Sequence, residues 1–215
     1  MDSAKDIAKD MLDAINVDHS GFLGALAKGF ISFPVSMGYL AYDFLDTEHR
    51  WDNQNDKYRF ALLIKRVTFN KELIGKVIGV FIDDFASRVN LVLMAERVSG
   101  NIAGKVLFSK LTGVNLGILI SERLVAAFFS GAAIGTILAV GAEVSRAIYT
   151  SRYLAERNPS HYQKLRDRGD LDLLYFLVED IVKPFEKAID ISNTNIDCFN
   201  EVCQCFLDGL GSLEI

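Results

Sequence analysis

Apolar positions recur at spacings of three and four along the chain, and no sustained alternation of period two is found. No Asn-Gly or Asp-Gly joins two β-branched runs. The pattern therefore predicts helices and no strands. Residues 1–18 form an amphipathic helix with Ile7, Met11, Leu12 and Ile15 as its apolar positions. Segment 21–45 is apolar except for Lys28 and Asp43, and Pro34 breaks or kinks it. The polar stretch 46–56 reads as a loop. Helical spacing resumes from Lys57 to about Val98, in two pieces around Asn70. Residues 102–120 are apolar apart from Lys105, Lys110 and a few uncharged polar positions, and Ser121-Glu122-Arg123 then interrupts. The next nineteen residues, 124–142, carry no charge. The helix continues through Glu143 and Arg146 to Asn158, where Asn158-Pro159 marks a stop and a fresh start. A last amphipathic run, 160–190, breaks at Gly169 and is acidic beyond it. A shorter helix around 195–208 ends at Gly209. The expectation is an all-α bundle of about seven to nine helices around a central apolar helix or helical hairpin. It forms a single domain over 1–215, with 21–45 and 102–142 as membrane-candidate segments.

The segment 124–142 carries the most information. Nineteen helical residues span about 28 Å, close to the roughly 30 Å hydrocarbon core of a bilayer. Eleven of the nineteen, however, are Gly, Ala, Ser or Thr, so the segment is long enough to cross but only marginally apolar. Its small residues are ordered: Ala127, Gly131, Gly135 and Ala139 fall every four positions, on one helix face. Such spacing lets two helix backbones approach closely, which drives association where no hydrophobic effect acts between helices. Glycine in a helix interior costs about 1 kcal/mol relative to alanine, so packing must offset it. The spacing recurs at Gly75/Gly79, Gly100/Gly104 and Gly113/Gly117, and with one Ala at Gly21, Ala25 and Gly29.

Composition turns this pattern into a question about solubility. The 215 residues are 50% hydrophobic and 24% charged, which excludes intrinsic disorder. The net charge of −5 argues against nucleic acid as a partner. Against that acidic balance, 57–76 is basic: Lys57, Arg59, Lys65, Arg66, Lys71 and Lys76 face only Glu72. Of these, Lys57, Lys65, Arg66, Lys71 and Lys76 are the candidates for contact with anionic headgroups. The first eighteen residues hold five Asp against two Lys and lack a basic start and apolar h-region, so synthesis without a leader and secretion by a leaderless route are expected. Cys198, Cys203 and Cys205 are too few and too clustered for a disulfide framework, and are expected as free thiols.

Marginally apolar helices, glycine-zipper spacing at Ala127, Gly131, Gly135 and Ala139, and amphipathic acidic flanks together resemble the pore-forming antibacterial effectors. The chain is similar to the membrane-depolarising effectors of type VI secretion and, more loosely, to the pore domains of colicins. The resemblance covers the architecture of residues 70–157 and includes no diagnostic motif. It implies storage before insertion, a cognate immunity protein or chaperone, action at the target-cell inner membrane and homo-oligomers there. In a colicin-like arrangement, 102–120 and 124–142 form a hairpin joined at Ser121-Glu122-Arg123. Lys105, Lys110 and the charged tip depart from that pattern, since charges cost a few kcal/mol each to carry through a bilayer. A continuous helix over 102–157 is the competing arrangement.

Candidates for covalent chemistry fall away. His19, His49 and His161 are far apart, without ligand-spaced partners, and read as exposed loop or helix-cap positions. Asp83-Asp84 and Glu179-Asp180 are adjacent pairs that point about 100° apart on a helix. No G-x-S-x-G, H-E-x-x-H, phosphate-binding loop or dinucleotide fingerprint is present. The expectation is a non-enzymatic pore-forming or membrane-depolarising toxin, without metal or cofactor, whose partner is a lipid membrane. The competing readings are a constitutive integral membrane protein and a soluble helical partner-binding module.

Overall fold

A computed structural model describes residues 2–16, 42, 43, 45–68, 70–92, 113–131 and 141–212. Among the described residues the chain is all-α, with eight α-helices, one 3-10 turn and no strand. The helices are α1 (Ala4–Ile15), α2 (Arg50–Arg66), α3 (Lys71–Arg88), α4 (Gly113–Gly131), α5 (Gly141–Arg157), α6 (Pro159–Asp167), α7 (Tyr175–Thr194) and α8 (Ile196–Ser212), with the 3-10 turn at Leu171–Leu174.

Helix ends follow local chemistry. Ser3 caps α1 through a reciprocal box: its hydroxyl accepts from the Asp6 N–H, and the Asp6 carboxylate accepts from the Ser3 N–H. Asn70 separates α2 from α3, and its side-chain oxygen accepts from the Leu73 N–H at 2.9 Å. Asn158 caps α6 with Pro159 in the first turn. Gly169, at φ 98°, and Asp170, at φ 65°, turn the chain between α6 and the 3-10 turn in left-handed conformations. Asn195 starts α8 by accepting from the Cys198 N–H.

Three expected boundaries differ. The stretch 46–56 is not a loop throughout, because α2 begins at Arg50. Asp46 accepts from the His49 N–H at 3.2 Å just before it. Ser121-Glu122-Arg123 does not interrupt: α4 runs through it, so a hairpin closed at that tripeptide is replaced by one helix from Gly113 to Gly131. Glu122 is exposed there and Arg123 half-buried, while Leu116, Ile120, Leu124 and Ala127 are buried, so the acid lies away from the packed side, the arginine stands at its edge, and nothing demands a turn. Gly209 does not end α8, which continues to Ser212. A Cβ at Gly209 would come within 2.2 Å of Leu12 Cδ1, so the glycine marks a close approach of α8 to α1.

The chain divides into two compact units. The first comprises Met1–His19, Phe81–Ala127 and Asp180–Ile215. Its core gathers Ile7, Met11 and Ile15 of α1 with Phe199, Val202, Phe206 and Leu210 of α8, all buried. Phe85 meets Phe185, Phe199 and Phe206 edge-on, with centroids 5.5 to 6.0 Å apart. Such pairs contribute about 0.5–1.5 kcal/mol each beyond their area. Arg88 holds Asp84 of its own helix and reaches Ser192 and Asn193 on α7. The second unit comprises Ser20–Val80 and Phe128–Glu179, and α5 packs there against α2, α6 and the 3-10 turn.

Candidate functional site

Among the expected pore residues, Ala127 and Gly117 are buried on α4, on the side that carries Leu116, Ile120 and Leu124. Gly113 and Gly131 are the first and last residues of that helix. A Cβ at Gly117 would lie 3.4 Å from the Ala86 Cβ and 3.7 Å from an Asp83 carboxylate oxygen, so α4 and α3 approach closely at this glycine. Gly135 and Ala139 lie outside the described residues, as do 21–41 and 44 of the N-terminal apolar segment 21–45, and 102–112. Gly75 and Gly79 are half-buried positions of α3. Among the described residues, no helix is long and apolar enough to cross a membrane.

The five basic candidates do not form one stripe, because Asn70 divides them between α2 and α3. Lys57 pairs with Asp43 at 2.8 Å and Lys76 with Glu72 at 2.7 Å. Arg66 reaches the Gly169 carbonyl at 3.3 Å and Asp170 at 3.4 Å. Lys65 and Lys71 are exposed.

Sequence patterning gave no sign of a polar cluster that lies in the second unit. Arg59 of α2 donates from Nε to Asp170 at 2.9 Å, from Nη1 to Asp56 at 2.8 Å, and from Nη2 to both oxygens of Asp172 at 2.9 and 3.0 Å. Asp172 is fully buried and also accepts from the Ser151 hydroxyl at 2.7 Å. Arg152 of α5 adds a second cation to Asp56 at 2.9 Å. One guanidinium thereby ties α2 to the turn after α6, and Ser151 and Arg152 bring in α5. A second group lies around Asn53, which donates to Asp43 and to the Tyr149 hydroxyl, each at 2.9 Å. Tyr149 in turn donates to Asp46, and Ser145 donates to Asp43, both at 2.9 Å.

Electrostatics follow from this packing. Burial raises the Asp172 carboxyl above its ordinary value, although Ser151 and Arg59 pull it down. Burial also works against the Arg59 charge, but its three carboxylates more than offset that and hold the guanidinium protonated. Burial pushes the Tyr149 phenol upward, and Asp46 and Asp43 add to the shift. At Asp46, burial is outweighed by hydrogen bonds from His49 and Tyr149, which lower its pKa. Both Asp172 oxygens are engaged by Arg59, so the cluster is arranged to hold helices together rather than to activate Ser151.

His161 is buried on the first turn of α6 with its ring against Asn158, a cap position but not an exposed one. His49 adjoins α2 and its ring meets Asp46. Among the described residues, no group of His, Cys, Asp and Glu could hold a metal ion. The three cysteines are free thiols. No protein-family model matches this chain, and no curated protein or solved structure is significantly similar to it.

Proposed function

We propose that this chain is a pore-forming or membrane-depolarising antibacterial toxin, held in a resting form until it meets a bilayer. The observation that carries the reading is α4. It is the most apolar of the described helices, and its Leu116, Gly117, Ile120, Leu124 and Ala127 side is buried. That helix leads into the uncharged run 124–142, where small residues recur every four positions. On this reading the inserting segment is 124–142, of which 132–140 lie outside the described residues. Insertion exposes the small-residue stripe to copies of itself, and ions pass without covalent chemistry. A cognate immunity protein or chaperone covers the same helices in the producing cell, and the target is the inner membrane.

Potassium efflux from liposomes tests this. Gly131→Leu together with Gly135→Leu removes the close approach of inserted helices and abolishes efflux, while the resting protein keeps its helical content. Unchanged efflux from the double variant sinks the zipper mechanism.

A further inference from the structure

We propose that the outward face of α2 is the surface on which the chain first docks to an anionic phospholipid bilayer. The inference rests on the membrane-active reading and supplies the docking face that it lacks. Trp51 is the chain's single tryptophan and is 82% exposed. Tyr58 is 64% and Leu62 42% exposed, and the spacings of seven and four place all three on one stripe of α2. Trp and Tyr are amphipathic rings suited to the headgroup level, and a leucine beside them enters the acyl boundary.

Charge on this helix is sorted by direction. Asp56 turns inward to Arg59 and Arg152, and Lys57 is held by Asp43. Lys65 is exposed and in line with the stripe, Arg50 is exposed about 100° around the helix from Trp51, and Arg66, exposed at the other end, also reaches Asp170. The remaining acid, Asp52, lies about 100° from Trp51 on the side opposite Arg50, so these two charges balance and Lys65 gives the stripe its sign. In a chain of net charge −5, this face is cationic and aromatic, complementary to phosphatidylglycerol headgroups.

Because Trp51 is the only tryptophan, the full-length protein reports its own docking. It is titrated with potassium-loaded vesicles of phosphatidylglycerol and phosphatidylethanolamine, and separately of phosphatidylcholine, while Trp51 emission and potassium efflux are read together. Anionic vesicles shift the emission to the blue and protect it from acrylamide, added salt reverses both, and phosphatidylcholine does neither. Lys65→Gln weakens partitioning about fivefold, the equivalent of about 1 kcal/mol for one basic residue near an anionic surface. Leu62→Asp, at an exposed position, removes the shift while circular dichroism stays unchanged. Efflux without a Trp51 shift overturns this face and leaves the pore reading standing. A shift without efflux keeps the face and overturns the pore. An equal shift with phosphatidylcholine, a wild-type response from Leu62→Asp, or preference for an acidic polypeptide over the vesicles overturns lipid docking here.

Discussion

Replacing Arg59 with methionine is the sharpest perturbation of the second unit. Asp56 keeps Arg152 at 2.9 Å and Asp170 keeps Arg66 at 3.4 Å, so neither is stranded. Asp172 is different: fully buried, it loses a guanidinium that touches both its oxygens and keeps the Ser151 hydroxyl at 2.7 Å. Removing one partner of a buried pair costs about 3–5 kcal/mol. Protonation sets an upper limit by a separate route. Neutralising a carboxyl of ordinary value 3.8 at pH 7 costs about 4 kcal/mol, at about 1.4 kcal/mol per unit. The two figures agree, so urea denaturation followed by far-ultraviolet circular dichroism should show a loss of about 3–4 kcal/mol at pH 7.

The sign of the pH dependence is also fixed. Without Arg59, the folded Asp172 pKa rises further above its unfolded value. The folded variant then binds the proton more tightly, and its stability falls as pH rises from about 4 through that raised folded value. The penalty of Arg59→Met therefore shrinks as pH is lowered from 7 towards 5. Arg59→Met with Asp172→Leu removes both charges and recovers most of the stability. A penalty under about 1 kcal/mol at pH 7, or one independent of pH, refutes the reasoning.

Two further outcomes follow from the first unit. Gly209→Leu forces a side chain onto Leu12 and should destabilise by about 1–3 kcal/mol, with Leu12→Ala relieving the clash; a more stable Gly209→Leu in urea contradicts the close approach. Burial pushes the Cys203 thiol up to about 12, so folded-state stability is complete below the unfolded thiol value near 9 and is lost as pH rises through the interval to 12, by about 1.4 kcal/mol per unit. Denaturation at stepped alkaline pH shows a loss of stability in the wild type whose slope is smaller by about that amount in Cys203→Ala.

Helix type and several boundaries were legible because they rest on local chemistry. Asn70, Asn158-Pro159 and Gly169 each act on their own backbone, so their effect is visible without the fold. The start of α2 was hidden because its inward residues near the beginning are polar. Asn53, Asp56 and Arg59 point towards polar partners, so the burial period is present while the hydrophobic period is not. Ser121-Glu122-Arg123 misled in the opposite sense, since two adjacent charges within a continuous helix, one exposed and one half-buried, resemble a break when only hydropathy is followed. Gly209 looked like a helix stop because a close approach and a C-cap favour the same residue. The Arg59–Asp172 pair joins residues 113 positions apart, a separation that no local pattern encodes.

The central claim is that α4 leaves its packed site when the chain acts on a membrane. A disulfide between Ala86→Cys and Gly117→Cys tests it, because the 3.4 Å Cβ separation is close to the 3.5–4.5 Å that a disulfide accepts. With Cys198→Ser and Cys205→Ser to prevent exchange, the reduced protein should release potassium from phosphatidylglycerol vesicles. The oxidised protein should release none, and reductant should restore the activity. Equal efflux from the oxidised and reduced forms contradicts the account.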